Sequence, residues 1–182
     1  MKPNSTKKLV LSGLMIALVF LATYFTKIPT PLPGGYFNLG DAVIMLSAVL
    51  LGPIGGLIAG SVGSALADLA YGAFLFAPIT FVVKGIEGLA VGLLMSRMHR
   101  TGELKHSRLI AAVIIGAVIM VAGYFLAEAF LLGIFDESFG LTAAVAELLP
   151  NSVQGLLSAV LGYILILVLT RTGIDKHLRG SV

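Results

Sequence analysis

The chain has 182 residues, of which 58% are hydrophobic and 12% charged, and its mean hydropathy is +1.03. Soluble domains carry about 25% charged residues, so this composition excludes an aqueous globular fold and points to lipid as the solvent. The absence of cysteine excludes disulfides, thiol catalysis and Cys-ligated metal.

The first apolar stretch, Leu9 to Ile28, is 20 residues long, and a helix needs about 20 to cross a hydrocarbon core roughly 30 Å thick. It follows MKPNSTKK, outruns the usual apolar region of a signal peptide and lacks a clear A-x-A site, so it is read as a retained first span. The connection KIPTPLPGGYFNLGD holds three prolines and two adjacent glycines. Stiff Pro-rich backbone with Gly-permitted reversals describes a structured flap rather than a slack tether. Within it, Asn38 and Asp41 are spaced as helix punctuation, an N-cap candidate and an acid in the first turn. Asp41 is the better candidate for the cap. Asn38, beside Tyr36 and Phe37, is the better candidate for touching a ligand.

Further helices are predicted at 41–51, 53–72, 78–97, 108–133 and 147–171. The second is too short to cross upright and either tilts or forms a hairpin with the third about Gly52-Pro53. The expectation is an all-α integral membrane protein, a six-transmembrane-helix bundle in one domain over 1–182, with a short second helix and a structured extracellular loop after the first. With the amino end inside, ten of the twelve Lys and Arg residues fall in the amino tail, the 98–107 loop and the carboxyl tail with their span edges. The net charge of +3 is thereby explained by the positive-inside rule, with both termini cytoplasmic, and no nucleic-acid partner is expected. The basic inner loop suits anionic headgroups or an acidic protein surface.

Small residues recur at i+4 along the third predicted helix (Gly52, Gly56, Gly60, Ser64, then Asp68), the fourth (Lys84, Gly88, Gly92, Ser96) and the sixth (Asn151, Gly155, Ala159). Such stripes let backbones approach closely in lipid, and each ends at a polar residue on the predicted outer side. Gly13 and Ala17 form a further small pair on the first helix, suited to packing in the bundle or to docking on another membrane protein.

Asp68, Lys84, Glu87 and Glu128 fall inside predicted spans. A charge at the bilayer centre costs at least ~2.5–3.5 kcal/mol, so these residues face the interior of the bundle. Lys84 is placed to pair with Asp68 or Glu87, but one lysine does not neutralise three carboxylates. Asn151 and Gln154 share a face at i+3 near the start of the last helix, beside Glu147. With Tyr36, Phe37, Asn38, Tyr71 and Phe76 these groups describe a pocket for a small polar ring compound entering from outside. Enzyme motifs such as H-E-x-x-H and G-x-S-x-G are absent, as is a P-loop, so no catalytic residue, metal or cofactor is expected and any ATP use belongs to a partner. A stand-alone proton-coupled carrier and a ligand-free assembly subunit are the competing readings.

The run GGYFNLGDAVIMLSAVLLGPIGGLIAGSVGSALADLAYGAFLFAPITFVVKGIEGLAVGLL resembles the substrate-binding S components of energy-coupling factor (ECF) vitamin transporters. It is most similar to the branch associated with riboflavin, hydroxymethylpyrimidine or pyridoxine. The motifs are N-L-G-D at 38–41, the Gly-rich segment 52–63, A-L-A-D at 65–68, A-P at 77–78 and K-G-x-E-G at 84–88. The resemblance implies a multi-pass subunit of the prokaryotic plasma membrane that binds a vitamin at its outer face. It implies partnership with a transmembrane coupling protein (T component) and two ABC ATPases, and delivery by reorientation in the membrane. It further implies a gate at residues 29–40 and docking through Gly13 and Ala17, where Gly replaces the first Ala of the family's A-x-x-x-A pattern. Few aromatics and no Trp favour pyridoxine or hydroxymethylpyrimidine over the larger riboflavin.

Overall fold

The computed structural model describes residues 5–29, 36–101 and 103–173. The middle of the flap, the carboxyl tail and the side chain of Tyr36 lie outside that description. Helix α1 spans Ser5–Phe25; a two-residue strand, β1 (Ile28–Pro29), pairs antiparallel with β2 (Tyr36–Phe37), Ile28 opposite Phe37. Then follow α2 (Gly40–Tyr71), α3 (Phe76–Thr101), α4 (His106–Phe130), a short 3-10 turn at Leu132–Ile134 and α5 (Leu141–Thr172). Five of these helical segments are long and apolar enough to cross a membrane. The β1–β2 pair gives the flap the structured base that its prolines and glycines imply.

The predicted segments 41–51 and 53–72 follow each other without an intervening loop and are labelled together as α2, although they are two helices that meet at a kink. Its interior is broken at Gly52, whose φ of 79° and ψ of −173° lie in a region open only to glycine. Pro53 follows and has no N–H to continue the helical ladder. The chain reverses there. Gly56 packs on Ala48 and Gly60 on Ile44, positions that an unbroken helix would hold about 12 and 24 Å apart. The hairpin reading of this segment stands: two helical arms meet at Gly52. The two arms have their far ends, Asn38–Asp41 and Asp68, at the same end of the bundle.

The glycine stripes explain how α2 and α3 meet. Gly56 faces the Gly88 carbonyl, at 2.6 Å from where a Cβ would sit, and Gly92 lies against Pro53. Gly60 abuts the Lys84 carbonyl so closely that no methyl group fits. Contact this intimate brings the polar ends of the two stripes together. Gly155 of α5 likewise lies on Ala117 and Met120 of α4. The inner half of the bundle is filled by Met45, Val49, Met95, Leu109 and Ile166, while α1 packs on the α2 hairpin through Met15 and Val19. On the opposite face of α1, Gly13 is exposed with nothing within 4 Å of a Cβ.

One boundary also moves. The last helix begins at Leu141, after Gly140 at φ 137°, not at residue 147. Pro150, which resembles a helix-start residue, is accommodated inside it. Glu147, Asn151 and Gln154 consequently sit in its second, third and fourth turns.

Candidate functional site

The site is assembled where the flap meets the helix ends. Asn38 Oδ1 accepts the Gly40 N–H at 2.8 Å, and the Asn38 N–H donates to Gln154 Oε1 at 2.9 Å. Thr26 Oγ1 accepts the Leu39 N–H at 2.8 Å and donates to the Ala22 carbonyl at 2.6 Å, which ties the end of α1 to the start of α2. Asp41 is 1% exposed and receives Lys84 Nζ on one oxygen and Gln154 Nε2, at 2.8 Å, on the other. Of the roles expected of the two neighbours, capping passes to Asn38, which also lines the neighbouring chamber. Asn38 supplies the punctuation, and Asp41, although in the first turn, is engaged by two partners from distant helices. Lys84 pairs with Asp41 rather than with Asp68, stands 4.0 Å from Glu87 Oε2 and 5.3 Å from the Tyr124 ring centroid.

Above this network lies a small, partly open chamber of about 30 Å³ to which every helix contributes. Thr23 comes from α1, Asn38 from the flap, Ser64 and Asp68 from α2, and Phe76, Thr80 and Lys84 from α3. Tyr124 and Glu128 come from α4, and Glu147, Asn151 and Gln154 from α5. Of the residues singled out in the sequence, Asn38, Asp68, Phe76, Lys84, Glu128, Glu147, Asn151 and Gln154 are brought together here. Glu87 is not part of the lining but is fully buried one turn below Lys84, and Phe37 is not in the lining either. Thr23, Thr80 and Tyr124 were not anticipated. Thr80 and Tyr124 share a 2.8 Å hydrogen bond and stand four residues before Lys84 and Glu128, so helical spacing from those charges could have found them. Among the described residues, Thr23 Oγ1, Ser64 Oγ and Glu128 Oε2 of the lining have no hydrogen-bond partner. Buried polar atoms are rarely left so, and their concentration around one chamber marks it as the place for a polar ligand.

At the rim, outside the spans, Lys27 Nζ lies 3.5 Å from the centroid of the Tyr71 ring. Burial pushes its ammonium from 10.5 down to about 8, against the attraction of Asp68. Between those values the unfolded chain binds the proton more tightly than the folded one, so the Lys27 contribution to stability rises as pH rises from about 8 to 10.5. Melting curves across that window should show the wild-type protein gaining on Lys27→Met; a difference independent of pH would refute this.

Long apolar helices packed around an internal polar chamber define an integral membrane protein with a candidate site at one end of its bundle. The chain belongs to the family of the ECF-type riboflavin transporter, S component, whose model matches residues 3–171. A membrane subunit that binds the transported substrate, not an enzyme, is what that family comprises. A Pyrococcus woesei protein, the uncharacterized protein in the gap 3′ region, is 39% identical over 144 residues, covering 79% of this chain and 88% of its own length. A UPF0397 protein of Exiguobacterium is 30% identical over 126 residues, 68% of each chain. One from Lactococcus lactis is 37% identical over 103 residues, and the match spans 56% of this chain and 55% of that protein. The solved S component of a bacterial ECF transporter shares the fold, with a TM-score of 0.69 at 19% identity over 93% of this chain and 98% of that one.

Proposed function

We propose that this protein captures a small water-soluble vitamin or vitamin precursor at the outer face of a prokaryotic plasma membrane. It then delivers the solute by reorienting on a T component driven by two ABC ATPases. The observation that carries the reading is the chamber with its unpartnered Thr23, Ser64 and Glu128 oxygens, closed over by the flap through Asn38 and Gln154. Pyridoxine or hydroxymethylpyrimidine is the favoured ligand and riboflavin the next. Asp68, Lys84, Glu128, Asn151 and Gln154 form the binding set around it, with Tyr36, Phe37 and Asn38 belonging to the gate and Glu87 supporting Lys84 from below. Both termini are cytoplasmic on this reading. The exposed Gly13 and Ala17 face of α1 offers the coupling protein a flat surface.

A vitamin panel against the detergent-solubilised protein, read by melting temperature, tests the capture step, because a ligand that binds the native state raises stability by mass action. One member of the panel should raise it, and vitamin uptake should require the co-expressed coupling module. Gly13→Leu should leave the thermal shift intact and abolish uptake. Uptake by the protein alone that a protonophore abolishes would replace this reading with a proton-coupled carrier, and an unresponsive panel would favour an assembly subunit.

A further inference from the structure

We infer that the chamber selects a ligand bearing a positive charge and several hydrogen-bond donors, such as a nitrogen heterocycle with an amino or protonated ring nitrogen. The inference rests on the chamber being the vitamin site and specifies the chemistry it recognises. The charges on its walls decide the matter. Lys84 appears in the lining, but its ammonium is already engaged by Asp41 and lies 4.0 Å from Glu87, so two carboxylates answer that one cation. Three further carboxylates face the chamber: Asp68, Glu128 and Glu147. Lys27 attracts Asp68 from the rim. On the opposite wall, Glu128 of α4 and Glu147 of α5 are each 3% exposed, and among the described residues neither makes an ion pair.

A cluster of acids alone would say little, but Glu128 Oε2 is buried, aimed at the chamber and without a hydrogen bond, and so are the hydroxyls of Thr23 and Ser64. A carboxylate oxygen only accepts while ionised. A ligand that brings its donor on a cation satisfies that oxygen, holds the carboxyl in its ionised form and offsets charge that the protein leaves uncompensated. An anionic ligand would place a like charge beside both acids. A neutral alcohol would satisfy the oxygen and leave the charge. The Tyr124 ring completes the surface: it already lies 5.3 Å from the Lys84 ammonium, and its remaining area suits a second cation.

Three probes of nearly one shape isolate charge: pyridoxamine, pyridoxine and pyridoxic acid carry an ammonium, a hydroxyl and a carboxylate on the same ring. A second pair, hydroxymethylpyrimidine and its analogue with the ring amine replaced by a carbonyl, repeats the comparison on a smaller scaffold. Binding to the purified full chain is read by calorimetry, with riboflavin included. The amine is expected to bind about tenfold or more tighter than its neutral counterpart on at least one scaffold, with the acid not binding, as charge pairing in a water-poor site predicts. Glu128→Gln, which keeps shape and removes the charge, should reduce that preference to within a few-fold. Glu147→Gln serves as a second variant, and the apo melting temperature of each reports whether it is folded. Neutral or acidic members binding as tightly as the amines, riboflavin binding alone, or a preference indifferent to both variants would overturn the inference while leaving vitamin capture standing. Silence from every probe, riboflavin included, would remove the capture reading and this inference with it.

Discussion

Lys84→Met is expected to cost about 3–5 kcal/mol of stability, the usual penalty for stranding one member of a buried ion pair. Lys84 and Asp41 are each 1% exposed, and Asp41 would retain only Gln154. Loss of one hydrogen bond alone would be worth about 0.5–1.5 kcal/mol, so the size of the effect separates a stranded charge from a lost contact. Adding Asp41→Leu should restore part of the deficit, since a buried carboxylate without its cation is worse than none. Denaturant or thermal melts of the two single variants and the double variant in detergent measure this directly. If the double variant pays the sum of the single costs, the two residues are not a coupled pair. Restored stability should not restore ligand affinity, because the lining at Lys84 is gone.

Gly60→Ala is the second large effect, at or above the roughly 3 kcal/mol upper end of ordinary overpacking. The obstacle is the Lys84 backbone carbonyl, which lacks the freedom of a side-chain tip to move aside. Relief requires the second arm of α2 to separate from α3, carrying Lys84 away from Asp41, so ligand affinity should fall along with stability. Gly13→Ala provides the contrast. Nothing lies within 4 Å of its added methyl, and the exchange should be close to neutral or slightly stabilising through helix propensity. Equal melting temperatures for the two variants would contradict the packing described.

The membrane class, the position of the flap and the facing glycine stripes were legible because each follows from local composition or from a four-residue period. The absence of a loop at Gly52-Pro53 was not. That dipeptide reads as a boundary in sequence, and one glycine of positive φ turns the chain there directly, so two helical arms follow each other with no connection between them. That Asn38 rather than Asp41 carries the capping bond was equally hidden. N-x-x-D spacing permits either residue to cap, and the choice is made by Lys84 and Gln154, which lie 43 and 113 residues further along from Asp41. The intramembrane charges advertised a site because their burial is costly, whereas Thr23, a single hydroxyl in a long apolar run, carried no such signal. Six of the nine binding residues picked from sequence meet at the chamber for that reason.

Gln154 has a consequence for kinetics. Its amide oxygen holds the Asn38 N–H and its nitrogen holds Asp41, so one side chain fastens the flap to the floor of the site. A chamber of about 30 Å³ admits no vitamin until that clasp parts. Two net hydrogen bonds are worth about 1–3 kcal/mol together, which places roughly one molecule in six to one in 160 in the open form. Association should therefore stop rising with ligand concentration once capture outruns opening. The clasp that delays entry delays escape as well, so exchange of any occupant is slowed in both directions.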